Sequence, residues 1–317
     1  MLQNQKPFIV LTGPTAVGKT ELSIQLAKLV GGEIISADSM QVYRGMDIGS
    51  AKVTQEEMQG IPHHLIDIFE PDEEFHVVRF QEYAKRCMQE IWNRGNIPIL
   101  TGGTGFYIQA VLYDIDFTET ECNQEYREKL EALAVSHGSE YLHEMLRQVD
   151  PESADAIHAN NVKRVIRALE FYHETGQKIS VHNEEEHRKE SPYRFAYFVL
   201  NDERSRLYER IDRRVDQMMV QGLLQEVQAL KEKGFDRSMV SMQGLGYKEI
   251  LAYLDGEMSL EEAVRILKRD TRHFAKRQLT WFRRERDVTW VDKQNFQYDN
   301  EKILEYIVQI LKERGII

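Results

Sequence analysis

Eight residues near the N-terminus have the types and spacing of a phosphate-binding loop. The pattern is a glycine, any four residues, then glycine, lysine and threonine. It is met by Gly13, Pro14, Thr15, Ala16, Val17, Gly18, Lys19 and Thr20. Such a loop points backbone N–H groups at a polyphosphate, backed by the positive end of a helix. Lys19 adds a positive charge, and the Thr20 hydroxyl can hold a Mg²⁺ ion. The loop predicts the ligand class, polyphosphate, and leaves the reaction open.

Asp38 follows a second apolar strand, predicted at 33–36. In a doubly wound sheet the carboxyl ends of the strands line the ligand crevice, so we expect Asp38 to face the phosphate loop. Its carboxylate there is a candidate general base or a partner of Thr20 in holding a metal ion. A turn or helix-capping aspartate is the alternative interpretation.

Thr104 lies in a glycine-rich turn that follows a later strand and opens a helix. Gly102, Gly103 and Gly105 surround it. Glycines without side chains permit close approach of a ligand, which favours a place at the crevice. A simple N-cap role for Thr104 is the alternative.

A helix predicted at 203–220 carries Arg210, Arg213 and Arg214, with Asp212 and Asp216 available as partners. An ordinary helix with ion pairs explains this composition. If the helix abuts the crevice, one arginine could instead clamp a diphosphate through two hydrogen bonds.

Two further groups of cations suggest a polyanionic partner. In the helical segment predicted at 160–170, Asn160, Asn161, Arg164 and Arg167 share one face, for which a solvated surface is the alternative interpretation. Arg127 on an earlier helix could add to this face. Residues 265–286 carry a net charge of +7, so the rest of the chain carries −18 of the total −11. Phe274, Trp281 and Phe282 interleave these charges, as in nucleic-acid-binding segments, although Phe274 and Trp281 are also spaced like core residues.

Composition limits the class of protein. The chain has 317 residues, 42% of them hydrophobic and 29% charged, as in ordinary globular proteins. No apolar run is long enough for a membrane span and no secretory signal precedes the first strand, so we expect a cytoplasmic protein without a membrane partner. Cys87 and Cys122 are expected to be reduced thiols, and no Cys/His spacing suggests zinc.

Alternation of short apolar strands with amphipathic helices predicts an α/β fold with a parallel sheet covered on both faces. Strands are expected at 8–12, 33–36, 63–68, 97–101, 193–200 and 288–291. Residues 1–116 and 190–317 are predicted to form this core with C-terminal helices, and 117–189 a helical insertion that binds the polyanion. Within the insertion, 184–190 is expected to be an exposed charged connection.

Taken together, these motifs resemble the tRNA dimethylallyltransferase family in its bacterial form. The matching segments are 13–20, 35–52, 102–107, 161–170, 244–249 and 275–283, which run in family order across nearly the whole chain. The resemblance implies a P-loop kinase-like core with an inserted helical domain. It also implies transfer of a dimethylallyl group from dimethylallyl diphosphate to N6 of the adenosine that follows the anticodon, in tRNAs reading codons that begin with U.

The resemblance assigns roles to individual residues. Asp38 matches the family's general base, Arg214 its diphosphate arginine, and Lys19 and Thr104 complete the predicted catalytic set. The implied tRNA contacts, at the anticodon stem-loop, are Asp38, Ser39, Met40, Gln41, Thr104, Arg127, Asn161, Arg164 and Arg167. Mg²⁺ is the implied cofactor, and ATP is a second candidate occupant of the loop.

Two rival functions use the same motifs. A small-molecule or nucleotide kinase would transfer the γ-phosphoryl group of ATP, with Asp38 as the base for a substrate hydroxyl. A nucleic-acid-binding protein with a nucleotide switch would use the insertion and the basic segment, but it leaves the run 35–52 unexplained.

Overall fold

The computed structural model describes residues 5–117 and 123–317. Cys122, predicted to be a reduced thiol, lies outside the described residues. The chain divides into two compact units: Ser191–Ile317 joins the segment that ends at Leu112, and Tyr113–Glu190 forms the second unit. Each unit is described by itself below.

A six-stranded sheet in the order β3-β2-β4-β1-β5-β6 forms the centre of the first unit. Every pairing is parallel, which confirms the predicted α/β class. The strands are β1 Pro7–Thr12, β2 Gly32–Ala37, β3 His63–His64, β4 Ile97–Gly102, β5 Arg194–Asn201 and β6 Val288–Asp292. Because β1 lies between β4 and β5, the loop that follows it leaves the middle of the sheet.

Helices cover the sheet. In the first unit they are α1 Lys19–Val30, α2 Gln55–Met58, α3 Val77–Asn93, α4 Gly105–Leu112, α10 Arg204–Gln221, α11 Leu223–Glu232, α12 Tyr247–Leu254, α13 Leu260–Phe282 and α14 Asn300–Glu313. Ile9 and Leu11 of β1 belong to one hydrophobic cluster with residues of α1, α10, α13 and α14. Phe8 and Val10 are equally buried. Since side chains alternate along a strand, both faces of the sheet are covered.

The second unit consists of helices α5 Gln124–His137, α6 Ser139–Val149, α7 Pro151–Ala156, α8 Val162–Thr175 and α9 Ile179–Arg188. It has its own core, in which Leu130, Leu142, Leu146, Val165 and Leu169 are buried. Asp150 links three of the helices. It is the C-cap residue of α6, its carboxylate caps α7 through the Ser153 N–H, and the same carboxylate accepts the Ser180 hydroxyl of α9 at 2.7 Å. This unit therefore packs around apolar contacts of its own.

Two sequence expectations are wrong. The strand predicted at 63–68 ends at His64, because Leu65 (φ 63°) and Asp67 (φ 54°) adopt left-handed conformations that leave the extended path. The connection predicted at 184–190 is helical as far as Arg188. Its charges lie on α9 and pair within it, as Arg188 does with Glu184 one turn away. Charged side chains with such partners favour a helix as readily as a loop.

No helix of the described segments is long and apolar enough to cross a membrane.

Candidate active site

The phosphate-loop residues lie where the sequence predicts: residues 13–18 connect β1 to α1, and Lys19 and Thr20 begin α1. Gly18 is the N-cap of α1 with φ 101°, a conformation that side chains resist, and it supplies no capping group of its own. The first N–H groups of a helix have no acceptor within the helix. They are therefore available, together with the positive end of α1, to an anion in front of the loop.

Lys19 folds back over this loop. Its ammonium donates to the carbonyls of Gly13 at 3.0 Å and Pro14 at 2.9 Å. Burial, together with the nearby Arg214 guanidinium, lowers the pKa of Lys19 to about 7, and the Asp38 carboxylate opposes the shift. The three side chains therefore interact electrostatically in one place. An anion bound between the two cations would restore the charge of Lys19.

The three arginines of α10 have different environments. Arg213 is exposed and pairs with Glu209 at 2.7 Å, while Arg210 donates to the Ala16 carbonyl at 2.7 Å. Arg214 makes no hydrogen bond or ion pair within the described residues. Burial lowers its pKa, and Asp38 acts in the opposite direction. A desolvated guanidinium with unused donors suits a bidentate anion such as a diphosphate.

Asp38 directly follows β2, at the same edge of the sheet. One carboxylate oxygen accepts the Met40 N–H at 2.9 Å, which forms the turn that sequence reasoning offered as the alternative role. The other oxygen accepts nothing from the residues described. The turn therefore holds the carboxylate in place through one oxygen, and the other oxygen can accept a proton or bind a cation.

Thr104 contacts Ala37, the residue that precedes Asp38. Its N–H donates to the Ala37 carbonyl at 3.2 Å, and its own carbonyl accepts the N–H groups of Tyr107 and Ile108 at the start of α4. Thr104 thus begins α4 through its backbone carbonyl and not through its side chain. The Thr104 hydroxyl has no hydrogen-bond partner in the segments described. A Cβ on Gly102 would lie 2.2 Å from the Ala37 carbonyl oxygen, so this close approach requires glycine.

A Mg²⁺ ion fits these groups only together with a substrate. Thr20 is exposed at the start of α1, and Asp38 has one unused oxygen. Within 5–117 and 123–317, no cluster of three His, Cys, Asp or Glu residues could hold a metal by itself. Mg²⁺ typically binds through one or two protein oxygens, several waters and substrate phosphates, and Thr20 and Asp38 could supply the protein oxygens of such a coordination shell.

Three side chains from distant segments hydrogen-bond to the phosphate loop, and two of them, Gln278 and Lys293, were missed in the sequence. Gln278 of α13 accepts the Thr15 N–H at 2.8 Å, and Lys293, just after β6, donates to the Val17 carbonyl at 3.3 Å. Arg210 is the third. A Cβ on Gly18 would lie 3.2 Å from the Lys293 ammonium nitrogen. The position of Lys293 after a parallel strand was a usable signal, because the carboxyl ends of the strands share one edge.

Glu226 of α11 supports the segment that follows Asp38. Its carboxylate accepts the N–H groups of Asp47, Ile48 and Gly49 at 3.0, 2.7 and 3.1 Å. The buried Tyr247 hydroxyl donates to the same carboxylate at 2.8 Å. No sequence pattern indicated this contact, since it joins residues almost 180 positions apart.

Ser39, Met40 and Gln41 form the turn after Asp38. The Gln41 amide is occupied within the protein: it accepts the Ser36 hydroxyl at 2.9 Å and donates to the Ala51 carbonyl at 3.3 Å. Met40 packs on the backbone of Gly244, where a Cβ would meet its methyl carbon at 2.5 Å. This turn is therefore fixed from both sides, and RNA contact by its residues stays a prediction.

Arginines of the second unit also differ from one another. Arg164 and Arg167 are exposed on α8, and Asn161 is its N-cap residue without a capping hydrogen bond from the side chain. Arg127 instead forms a bidentate pair with the buried Glu170 at 2.6 and 2.9 Å. That pair neutralises a buried carboxylate, so Arg127 has a structural role that the sequence did not indicate.

The basic segment largely coincides with α13, which ends at Phe282. Lys276, Arg277 and Arg284 line an open cavity on it. Phe282 belongs to the core, and Trp281 packs so closely on Gly105 that a Cβ there would lie 2.2 Å from the indole. Two of the three aromatic rings therefore serve packing, while the charges remain at the surface.

Comparison with known proteins identifies the family. The model of the IPP transferase family matches residues 41–285. A tRNA dimethylallyltransferase of Lachnoclostridium phytofermentans is 62% identical over 98% of this chain and 99% of its own length. Among solved structures, the full-length tRNA isopentenylpyrophosphate transferase of Bacillus halodurans is 47% identical, covers 98% of both chains and has a TM-score of 0.74.

A eukaryotic dimethylallyltransferase captured acting on tRNA is 33% identical, with a TM-score of 0.79, over 90% of this chain and 74% of that one. The fold, the order of the motifs and these relatives agree along nearly the whole chain. The chain therefore belongs to the tRNA dimethylallyltransferase family of prenyltransferases.

Proposed function

We propose that this protein transfers a dimethylallyl group from dimethylallyl diphosphate to N6 of the adenosine 3′-adjacent to the anticodon, in tRNAs that read codons beginning with U. The product is N6-dimethylallyladenosine. One observation carries the proposal: a partly unpartnered carboxylate, Asp38, lies in the electrostatic reach of two desolvated cations, Lys19 and Arg214, at the phosphate loop. The anion site and the base are thus adjacent, as the reaction requires.

The chemistry assigns one task to each group. N6 of adenine is a poor nucleophile, because its lone pair is conjugated with the ring. As N6 bonds to C1 of the donor, its proton passes to Asp38, and the electrons of the breaking C1–O bond leave with diphosphate. The loop N–H groups, Lys19 and Arg214 stabilise the charge that develops on this leaving group. The Thr104 hydroxyl, beside Asp38, is available to hydrogen-bond the reacting base.

Mg²⁺ is the proposed cofactor, held through the Thr20 hydroxyl and the diphosphate oxygens, with Asp38 as a second protein oxygen. It would add positive charge at the leaving group. ATP is a weaker candidate for the same loop, since the phosphate held here belongs to the leaving group and not to the group transferred. A cytoplasmic location is also proposed, because the proposed acceptor is tRNA.

The proposed acceptor is the anticodon stem-loop of tRNA. A stacked adenine cannot reach a carboxylate at the sheet edge, so the target base must leave its stack. Exposed cations on α13 and, in the second unit, Arg164 and Arg167 on α8 are suited to the phosphates of the stem. The relative captured acting on tRNA supports this class of partner.

One assay tests the reaction. The protein is incubated with labelled dimethylallyl diphosphate, Mg²⁺ and unmodified tRNA in the absence of ATP. We expect label in the tRNA, at the adenosine after the anticodon on nuclease mapping. A tRNA in which guanosine replaces that adenosine is the control, and it should stay unlabelled.

The kinase alternative predicts the opposite pattern. It requires ATP, and labelled γ-phosphate should then appear on a small acceptor while the tRNA stays unlabelled. That result, or prenylation at another nucleotide, would contradict the proposal.

A further inference from the structure

Gln278 of α13 hydrogen-bonds both to the phosphate loop and to the turn before α4. It is 6% exposed. Its Oε1 accepts the Thr15 N–H of the phosphate loop at 2.8 Å, and its Nε2 donates to the Gly103 carbonyl at 2.9 Å. One amide thus joins the loop proposed to hold the donor diphosphate to the turn that carries Thr104.

The packing around this amide is tight. A Cβ on Gly103 would lie 2.1 Å from Gln278 Nε2, and a Cβ on Gly105 would lie 2.2 Å from the Trp281 indole. Glycine at both positions lets α13 lie directly against the turn. A displacement of α13 would therefore be transmitted to Gly103 and to Thr15 without slack.

The solvent-exposed part of the same helix carries cations. Lys276 and Arg277 directly precede Gln278 in the sequence, and both line the open cavity together with Arg284. These are the groups proposed to meet the acceptor RNA. α13, which would contact RNA through its exposed cations, therefore also hydrogen-bonds the phosphate loop through Gln278.

We propose that Gln278 is a positioning residue that couples RNA binding on α13 to the geometry of the diphosphate site. The inference rests on the proposed function. RNA phosphates on Lys276 and Arg277 favour one position of α13, and the Gln278 amide sets the Thr15 and Gly103 backbones accordingly. Coupling of this kind is reciprocal, so bound diphosphate tightens RNA binding by the same factor.

Glutamine suits this place because the contact needs one acceptor and one donor on a planar group. Gln278→Met keeps the length and removes both hydrogen bonds. Gln278→Glu keeps the acceptor for Thr15 but turns a second oxygen towards the Gly103 carbonyl, where it repels. The two variants therefore separate loss of both contacts from loss of the Gly103 contact alone.

The test measures coupling and not only activity. The affinity for inorganic diphosphate with Mg²⁺ is determined by calorimetry, with and without the unmodified anticodon stem-loop. In the wild type we expect the RNA to tighten diphosphate binding by about 5-fold or more, the usual range of such coupling. In both Gln278 variants the ratio should fall towards one, and kcat/KM for dimethylallyl diphosphate should fall with it.

Gln309→Met is the matched control, because Gln309 is exposed on α14 and, among the residues that the structure describes, its side chain pairs only with Glu313. Its coupling ratio should equal that of the wild type. A merely structural role of Gln278 would lower the melting temperature while leaving the ratio intact. Hydrogen exchange of the Thr15 amide in the wild type needs no variant, and the RNA should slow it.

The outcomes separate the two proposals. Unlabelled tRNA with the wild type refutes the proposed function. Labelled tRNA together with an unchanged coupling ratio in the variants, or with Thr15 exchange that the RNA does not alter, refutes the role of Gln278 alone.

Discussion

At the scale of single residues, the site is marked by polar groups with unused capacity. Asp38 has one oxygen, and Arg214 its whole guanidinium, without a hydrogen-bond partner among the residues described. Of their polar neighbours, Gln41 is engaged at both ends of its amide within the protein, and Arg210 donates through Nε to the Ala16 carbonyl. Residue type alone does not distinguish polar side chains that have partners from those that do not, whereas their hydrogen bonds in the structure do.

Asp38→Asn should abolish most turnover while keeping the fold of the turn. The amide oxygen of asparagine can still accept the Met40 N–H, so only the proton acceptor is lost. Removal of a general base lowers kcat by about 100- to 10,000-fold. We expect that fall in single-turnover prenylation, with tRNA affinity changed less than about 2-fold. An unchanged kcat would exclude Asp38 as the base.

Lys19 should give the donor reaction a pH dependence near neutrality. Its pKa in the free protein is lowered to about 7, so its positive charge is present below that pH and lost above it. Donor binding needs the charge, and kcat/KM for dimethylallyl diphosphate should therefore fall as the pH rises through 7. Bound diphosphate raises the pKa of Lys19, so kcat should vary less.

Lys19→Arg is the control, because arginine stays charged throughout this range. Ionisation of the substrate is common to both proteins and cancels in their ratio. Parallel pH profiles for the two would show that Lys19 is not the titrating group.

At the scale of elements, the site depends on what lies behind it. α13 holds the phosphate loop through Gln278, and α11 holds the backbone of 47–49 through Glu226. At the opposite end of the sheet, Glu33 of β2 ties three segments together. It accepts hydrogen bonds from Arg94 at 2.9 and 2.8 Å, Asn96 at 2.8 Å and contacts His64 at 2.7 Å.

Glu33 should make the first unit sensitive to acid. Arg94 above all holds the pKa of this carboxyl at about 2, below its ordinary 4.5. The stabilisation is therefore complete above pH 4.5 and is lost as the pH falls through 2. A shift of this size corresponds to about 3 kcal/mol of unfolding free energy. Urea unfolding should show the gap between wild type and Glu33→Gln narrowing from pH 6 to pH 3.

A gap of constant size across that range would mean that Glu33 contributes through packing and not through its charge. Glu90→Gln is a suitable control on α3, because Glu90 is exposed.

At the scale of the whole molecule, charge is distributed unevenly. The net charge is −11, yet residues 265–286 carry +7. An acidic surface repels nucleic acid in general, while a local basic region admits it in one place. The second unit adds the exposed Arg164 and Arg167 on α8.

Arg164→Ala should weaken tRNA binding and flatten its salt dependence. Arg164 is exposed and makes no hydrogen bond or ion pair within the described segments, so its charge is available to a phosphate. Loss of one such contact lowers the slope of log K against log salt by about 0.7–0.9. Lys129→Ala on α5 removes a charge of the same sign and should leave the slope almost unaltered. Equal slopes for wild type and Arg164→Ala would contradict the proposed contact.

The sequence by itself determined the features that are local in the chain. The parallel α/β sheet, the phosphate loop and the positions of Asp38 and Thr104 follow from motifs and periodicity within short segments. Among the three arginines of α10, the family resemblance selected Arg214. Only the tertiary structure decided which polar groups are hydrogen-bonded within the protein. Arg127 pairs with Glu170, 43 positions away, and the Thr15 N–H donates to Gln278, 263 positions away. Such pairings depend on how distant segments of the chain pack together, which the local sequence pattern around each residue does not indicate.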